Sequence, residues 1–132
     1  MPVTIQQERF EDIVIELPEL WKRHYDEIAH DKDKKRLSPD IYSYIQYERG
    51  NRLVVFTARD GEKLIGYSFF VLQMALHYKE HAMAINDLFY VLPEYRGQFI
   101  GSKLIDSAEQ ALKAIGVHEI QMRHKVSHSF GP

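Results

Sequence analysis

The residues best suited to chemistry fall in one stretch, from Asp87 to Ser102, which reads DLFYVLPEYRGQFIGS. Arg96 carries a fixed positive charge with several donors in a planar fork. Gly97 and Gly101 leave backbone that an anion can approach closely, because no Cβ stands in the way. The residues that follow read as the start of a helix. The first N–H groups of a helix have no partner within it and attract a negative group. A strand, a glycine-bearing turn and a helix start together make a place to hold phosphate. Taken alone, two glycines and an arginine fit an ordinary strand-to-helix turn equally well.

The elements that must position these residues are legible on either side. Leu88 to Leu92 is apolar and rich in aromatic and branched residues, which predicts a strand. Pro93 ends it, since proline has no N–H to give to a ladder. Glu94 to Phe99 is a short loop. Ile100, Leu104, Ile105, Ala108, Ala111, Leu112 and Ile115 then recur at helical spacing, and Gly116 stands where a left-handed helix stop belongs.

The string YVLPEYRGQFIGSKLI resembles the acetyl-coenzyme A loop of the GNAT superfamily of N-acetyltransferases. That loop commonly reads Arg/Gln-x-x-Gly-x-Gly/Ala after a strand and a Pro-Glu-Tyr-like turn. Arg96, Gly97, Ile100 and Gly101 match it, while Phe99 stands where the middle glycine is usual. The resemblance runs from about Arg52 to Lys125 and looks closest to short members encoded by bacteriophages. It implies that Phe89, Tyr90 and Val91 offer backbone groups to the pantetheine arm, as an added strand would. It further implies that Arg96, Gly97, Gln98, Phe99, Ile100, Gly101 and Ser102 take the pyrophosphate. The family often places an acidic residue just before the pantetheine-binding residues, which makes Asp87 the first candidate for the base. His77 and His81 are the alternatives, having imidazole pKa values already near neutrality.

Length and composition set the outer limits. A chain of 132 residues is expected to form one domain, 1–132. A net charge of −2 gives no argument for nucleic acid or an anionic membrane as partner. With no cysteine there is neither a disulfide framework nor a thiolate metal site. His124 and His128 without a carboxylate beside them are weak metal ligands, and no metal is expected. No apolar run is long enough to span a bilayer, and MPVTIQQERF lacks the basic and apolar regions of a signal peptide. A cytoplasmic protein is the expectation.

In chain order, Val3 to Arg9 reads as a strand and Phe10 to Ala29 as helix, interrupted near Pro18. HDKDKKRL, from His30, reads as a charged connector. Ser38-Pro39-Asp40 signals a helix start with Ser38 as cap, running to Glu48. Leu53 to Ala58 and Lys63 to His77 read as strands joined by an Asp60-Gly61 turn, with Gly66 at a bulge. His77 to His81 turns the chain into a third strand, Ala82 to Leu92. Glu119 to Lys125 is the last strand. The order β-αα-β-β-β-α-β gives an α+β fold with a mixed sheet. The meander is antiparallel, and the crossover makes the last two strands parallel. This is the front part of the GNAT fold, C-terminally short: the family's next helix and two strands are missing after Val126. A bare edge at Ile120 invites strand pairing, so a homodimer with Glu119 to Pro132 at its interface is expected.

The reading is therefore an acetyl-coenzyme A-dependent N-acetyltransferase acting on a primary amine of a small molecule or protein, with a carboxylate or water as base. Trp21, His24, Tyr25, Tyr42, Tyr44 and Tyr47 fall where such proteins build the acceptor wall. A catalytically weak GNAT-fold binding protein, such as a phage factor acting on a host partner, is the alternative. The absence of Gly-x-x-x-x-Gly-Lys-Ser/Thr argues against a P-loop nucleotide site.

Overall fold

A computed structural model describes residues 3–28, 40–75 and 78–122, with 28, 74, 75 and 78–81 described as backbone only. The elements are β1 (Val3–Glu8), α1 (Phe10–Ile13), α2 (Leu17–Ile28), α3 (Ile41–Arg49), β2 (Leu53–Asp60), β3 (Lys63–Ala75), β4 (Tyr78–Val91), α4 (Ile100–Ala114) and β5 (Val117–Met122). The strands form one sheet of five in the order β1-β2-β3-β4-β5, antiparallel except for the parallel β4–β5 pair. The expected mixed sheet and α+β class are what the chain forms. No described helix is long and apolar enough to cross a membrane.

The interruption near Pro18 is a 3₁₀ turn, Val14–Glu16, after which Pro18 sits in the first turn of α2, where its missing N–H costs nothing. Ile13, Leu17, Leu20 and Trp21 are buried along one side of this segment. No local side chain caps α1. Its Phe10 and Glu11 N–H groups instead donate to the Glu48 carboxylate, which reaches over from α3. The cap of α3 is Asp40, whose carboxylate accepts from the Ser43 N–H at 3.0 Å. Ser38 and Pro39, expected to start this helix, lie outside the described residues. The hairpin loop is one residue later than expected: Asp60 still pairs with Lys63, and Gly61, at φ +65°, opens the turn.

Two of the register shifts bear on the site. Between β2 and β3, Ala58 faces Gly66 and Arg59 faces Leu64, so the extra residue is Ile65, next to the glycine expected there. Gly66 answers a different need, since a Cβ on it would stand 2.9 Å from the Tyr90 carbonyl oxygen. Between β3 and β4, Phe69 faces Leu88 and Phe70 faces Asn86, which leaves Asp87 as the extra residue of a bulge.

The sheet is covered on both faces. Tyr90 points to the α2 side, where its ring stacks on His24, and Phe89 points to the α4 side, where its ring lies against Gly101. Ile100, Leu104, Ala108 and Leu112 are the buried stripe of α4. Ile115, assigned to the same stripe by its spacing, is 62% exposed because the helix has ended before it and Gly116 turns the chain at φ +98°. The strand β4 starts at Tyr78, four residues ahead of expectation, so His81 belongs to the strand rather than a turn. The strand β5 begins two residues early, at Val117. His77, His124, His128 and most of the segment proposed for a dimer interface lie outside the described residues.

One charged cluster ties the edge of the sheet to the first helices. Arg59 donates to Glu8 at 2.7 Å and to Glu16 at 2.8 Å, joining β2 to β1 and to the 3₁₀ turn. Burial opposes a charge on Glu8, but hydrogen bonds from Arg59, Gln6 and Thr57 outweigh it and hold the carboxyl at about 2. A depressed carboxyl contributes stability above its unfolded pKa, and that contribution is lost as pH falls through the folded value. Arg59→Met should therefore lower stability at pH 7 by about 2–3 kcal/mol, less than a fully buried pair because the partners are partly exposed. The deficit should shrink as pH falls from about 4.5 toward 2. Urea titrations at several pH values measure it; a pH-independent deficit would assign the loss to packing alone.

Candidate functional site

The site is built along the second half of β4. Pairing with β5 runs from Ala82↔Val117 to Asn86↔Met122. Beyond Asn86, residues 87–91 of β4 have no strand partner on that side among the described residues, while β3 continues to pair on the other. The direction of each backbone group follows from one bond: the Leu92 N–H donates to the Ile65 carbonyl, so alternate residues face β3 and the others face away. Tyr90 therefore spends its backbone groups on Tyr67. Phe89 and Val91 turn theirs to the open edge. Of the three residues expected to line the pantetheine arm, Phe89 and Val91 turn backbone away from β3, while Tyr90 turns its backbone to β3 and its ring to α2.

The bulge at Asp87 is stabilised by a residue that the sequence reading passed over. Asn86 is 1% exposed, and its amide nitrogen donates to Ser68 Oγ, Phe69 O and Leu88 O at 3.1–3.2 Å. The amide thus ties the bulged segment of β4 to β3 from inside the sheet. The bulge turns Asp87 toward the helices α2 and α3, where its Oδ2 accepts from the Tyr44 hydroxyl at 2.6 Å. The only sequence signal for Asn86 is a polar amide inside an otherwise apolar run.

The open edge leads directly into the loop. Glu94, Tyr95 and Arg96 each fasten it to a different part of the molecule. Arg23 of α2 donates to both oxygens of Glu94 at 2.9 and 3.1 Å. The Tyr95 hydroxyl donates to Asp60 at the end of β2. Arg96 donates through Nε to the Val91 carbonyl at 2.9 Å and grips Glu27 of α2 at 2.7 and 3.0 Å, its guanidinium lying 5.4 Å over the Tyr90 ring. The charge expected to meet phosphate is thus engaged by Glu27, whose carboxyl the Arg96 hydrogen bond holds below its ordinary range.

After Arg96 the backbone takes unusual angles. Gly97 is at φ +87°, and Phe99 is left-handed at φ 62°, ψ 19° with its ring 77% exposed. A glycine adopts that conformation freely and a phenylalanine at a cost of about 1–2 kcal/mol. Phe99 therefore holds a conformation that a glycine at this place would adopt without that cost. No side chain caps α4, and Lys103 is the first residue whose N–H finds a carbonyl, that of Phe99. Ile100, Gly101 and Ser102, with Gln98 and Phe99 before them, surround a helix N-terminus with donors to spare. Gly101 has a further role: a Cβ there would stand 3.1 Å from the Phe89 ring.

Behind β4, on the α2 side, lies a polar network inside aromatic packing. His24 stacks on Tyr90, with centroids 4.5 Å apart and an interplanar angle of 14°, and shares a 2.8 Å hydrogen bond with the hydroxyl of buried Tyr67. Burial pushes His24 down to about 4; the Arg96 charge adds to this and Glu27 opposes it. Of the expected acceptor wall, Trp21, His24 and Tyr44 gather at this face, whereas Tyr42 points to solvent at 72% exposure. A groove of about 750 Å³ between Arg9, Glu48, Leu53, Leu72 and Ile115 lies apart and contains none of these residues.

With this geometry in view, the relatives are informative. A sequence model of the acetyltransferase (GNAT) family matches residues 15–129, and the chain belongs to that family. No curated protein sequence matches it. Among solved structures it is similar to an aminoglycoside acetyltransferase from an uncultured soil metagenomic sample, in complex with sisomicin. That pair is 20% identical, covers 97% of this chain and 81% of the other, and has a TM-score of 0.76. A predicted acetyltransferase with acetyl-CoA from Clostridium acetobutylicum is 17% identical over 94% of this chain and 82% of its own, with a TM-score of 0.69. Glucosamine-6-phosphate N-acetyltransferase from Arabidopsis thaliana is 12% identical over 96% and 85%, with a TM-score of 0.70.

A neutral buried histidine makes stability depend on pH. Its folded pKa lies below its unfolded value, so between about 6.5 and 4 the unfolded chain takes up a proton that the native chain refuses. The stability contribution is whole above pH 6.5 and declines by up to about 1.4 kcal/mol per pH unit below it. The His24 imidazole should titrate near 4 by NMR, and His24→Gln should flatten the stability profile between pH 6.5 and 4.5. Titration near 6.5 would mean the ring is open to water.

Proposed function

We propose that this chain transfers an acetyl group from acetyl-coenzyme A to a primary amine. The observation that carries the reading is the continuity of the open β4 edge with the uncapped start of α4. Val91 offers an N–H at one end, and the N–H groups of Ile100, Gly101 and Ser102 wait at the other. An extended thioester arm hydrogen-bonded along β4 would bring its pyrophosphate to that helix N-terminus, where dipole and donors favour it. Gln98 and Phe99 flank the same point, and Arg96 reaches it if phosphate draws the guanidinium from Glu27.

At the other end of the edge stands Asp87. An ammonium acceptor must lose a proton before its nitrogen can attack the thioester carbonyl, and the Asp87 carboxylate takes that proton directly or through a water. An outward N–H of β4 donates to the carbonyl oxygen as negative charge gathers on it. The carbon–sulfur bond then breaks, the thiolate leaves with the electron pair and is protonated, and the amide departs. Binding both reactants along one rigid strand contributes through proximity. The metagenomic relative holds an aminoglycoside, the Arabidopsis one is named for a sugar amine, and both fit an amine acceptor of this kind.

Coenzyme A at a hundredfold excess over its Kd should add about 2.7 kcal/mol to the stability of the native chain, raising Tm by roughly 5–10 °C. Acetyl-coenzyme A should release thiol in the presence of a suitable amine from a panel of polyamines, sugar amines and peptides. An unchanged melting curve overturns the cofactor reading. Binding without thiol release favours a coenzyme A-binding protein over an enzyme.

Asp87→Asn should lower the acetylation rate about 10²-fold while coenzyme A raises Tm as before. A rate within twofold of wild type would pass the base to water or to another residue.

A further inference from the structure

Asp87 sits on a bulge, where the ladder does not fix the direction of a side chain. What fixes it is Tyr44. The hydroxyl donates to Oδ2 at 2.6 Å and, among the described residues, is the hydrogen-bond partner that Asp87 shows. Tyr44 itself has little freedom. Its ring lies 5.2 Å from Phe10, meets Phe69 edge-on at 5.4 Å and stacks on Trp21 at 6.2 Å. Each of those three partners is buried. The helix that carries Tyr44 is pinned at its start by the Asp40 cap and, through Glu48, to the first turn of α1. Burial, with Asp87 and Asp40 adding, raises Tyr44 well above the ordinary tyrosine range, so its hydroxyl keeps its proton and remains a donor. Among the described residues Tyr44 is the titratable group seen in contact with Asp87, and Asp40 acts on Tyr44 from the start of α3. The neighbours of Asp87 on the strands, Phe69, Phe70, Asn86 and Leu88, do not titrate.

We propose that Tyr44 is the positioning residue of the acceptor subsite: it commits one oxygen of Asp87 and presents the other, at the head of the open β4 edge, to the ammonium of a charged primary amine. This rests on the acetyltransferase reading above. It adds a selectivity to that reading, because a fixed carboxylate oxygen among aromatic rings favours a cation with N–H donors over a neutral nucleophile such as an alcohol. It also explains why a tyrosine is placed in the aromatic cluster at this point. A phenylalanine would fill the same space among Phe10, Trp21 and Phe69 but would leave the carboxylate free to rotate.

Tyr44→Phe tests this with little risk to the fold, since the ring contacts are retained. Acetyl-coenzyme A should bind as tightly as before. The kcat/KM for the amine should fall about tenfold. The loss should fall on the amine alone, with the KM for acetyl-coenzyme A unchanged. In the Asp87→Asn background the same substitution should have no further effect. A rate within twofold of wild type overturns the proposal. So does an equal loss in the Asp87→Asn background, which would mark a packing role. If no amine supports thiol release, the acetyltransferase reading fails first. The Asp87 side-chain rotamer populations, read from NMR couplings in both proteins, then decide: unchanged populations overturn the contact, and rotamer averaging without turnover overturns its part in acetyl transfer.

Discussion

Everything at this site depends on one extra residue in β4. A strand in regular register would keep its pleat from Tyr78 to Val91. The bulge at Asp87 breaks that register next to the last described pair with β5, Asn86↔Met122. One side of the break is made tolerable by the buried Asn86 amide, which satisfies three acceptors at once. The other side delivers a carboxylate toward the helices that cover the sheet. The carboxylate on that face is therefore a product of the bulge.

A second constraint couples the loop after β4 to α2 and β2. Glu94 and Arg96 are both held by α2, through Arg23 and Glu27, while Tyr95 is held by β2. The Arg23–Glu94 and Arg96–Glu27 pairs are about half exposed, so each contributes modestly to stability. Their importance is geometric. They set the loop at a fixed height above Tyr90 and keep α2 beside it. A phosphate that draws Arg96 away from Glu27 also loosens one of the ties on α2, the helix that carries Trp21 and His24. The stacked His24 and Tyr90 rings and the Tyr67 hydrogen bond remain as the apolar and neutral part of that contact.

The aromatic cluster gives this polar site its precision. Phe10, Trp21, Tyr44, Phe69, Tyr67 and Tyr90 touch in a continuous series of ring contacts. Large rings with few rotatable bonds hold their hydroxyls still at small entropic cost. That is what allows Tyr44 and Tyr67 to act as fixed partners for Asp87 and His24 rather than as mobile surface groups.

By itself the sequence determined the order of elements, the mixed sheet, the helix stripe of α4 and the strand-loop-helix run that carries Arg96 to Ser102. These are local or periodic properties: alternation in strands, spacing at 3.6 in helices, proline and glycine at the breaks. It also marked Asp87 as a carboxylate next to that run. What it left open, only the tertiary structure decided, because each answer joins residues far apart in the chain. Whether Arg96 stands free or grips Glu27, what Gly101 packs against, and which face Asp87 takes are set by packing across the sheet. Asn86 escaped notice because a bulge has no composition of its own; it exists only when two strands are laid side by side. Phe99 departs from the resembling motif in sequence yet keeps a left-handed backbone, since the fold imposes the angle and the side chain is free to point to solvent.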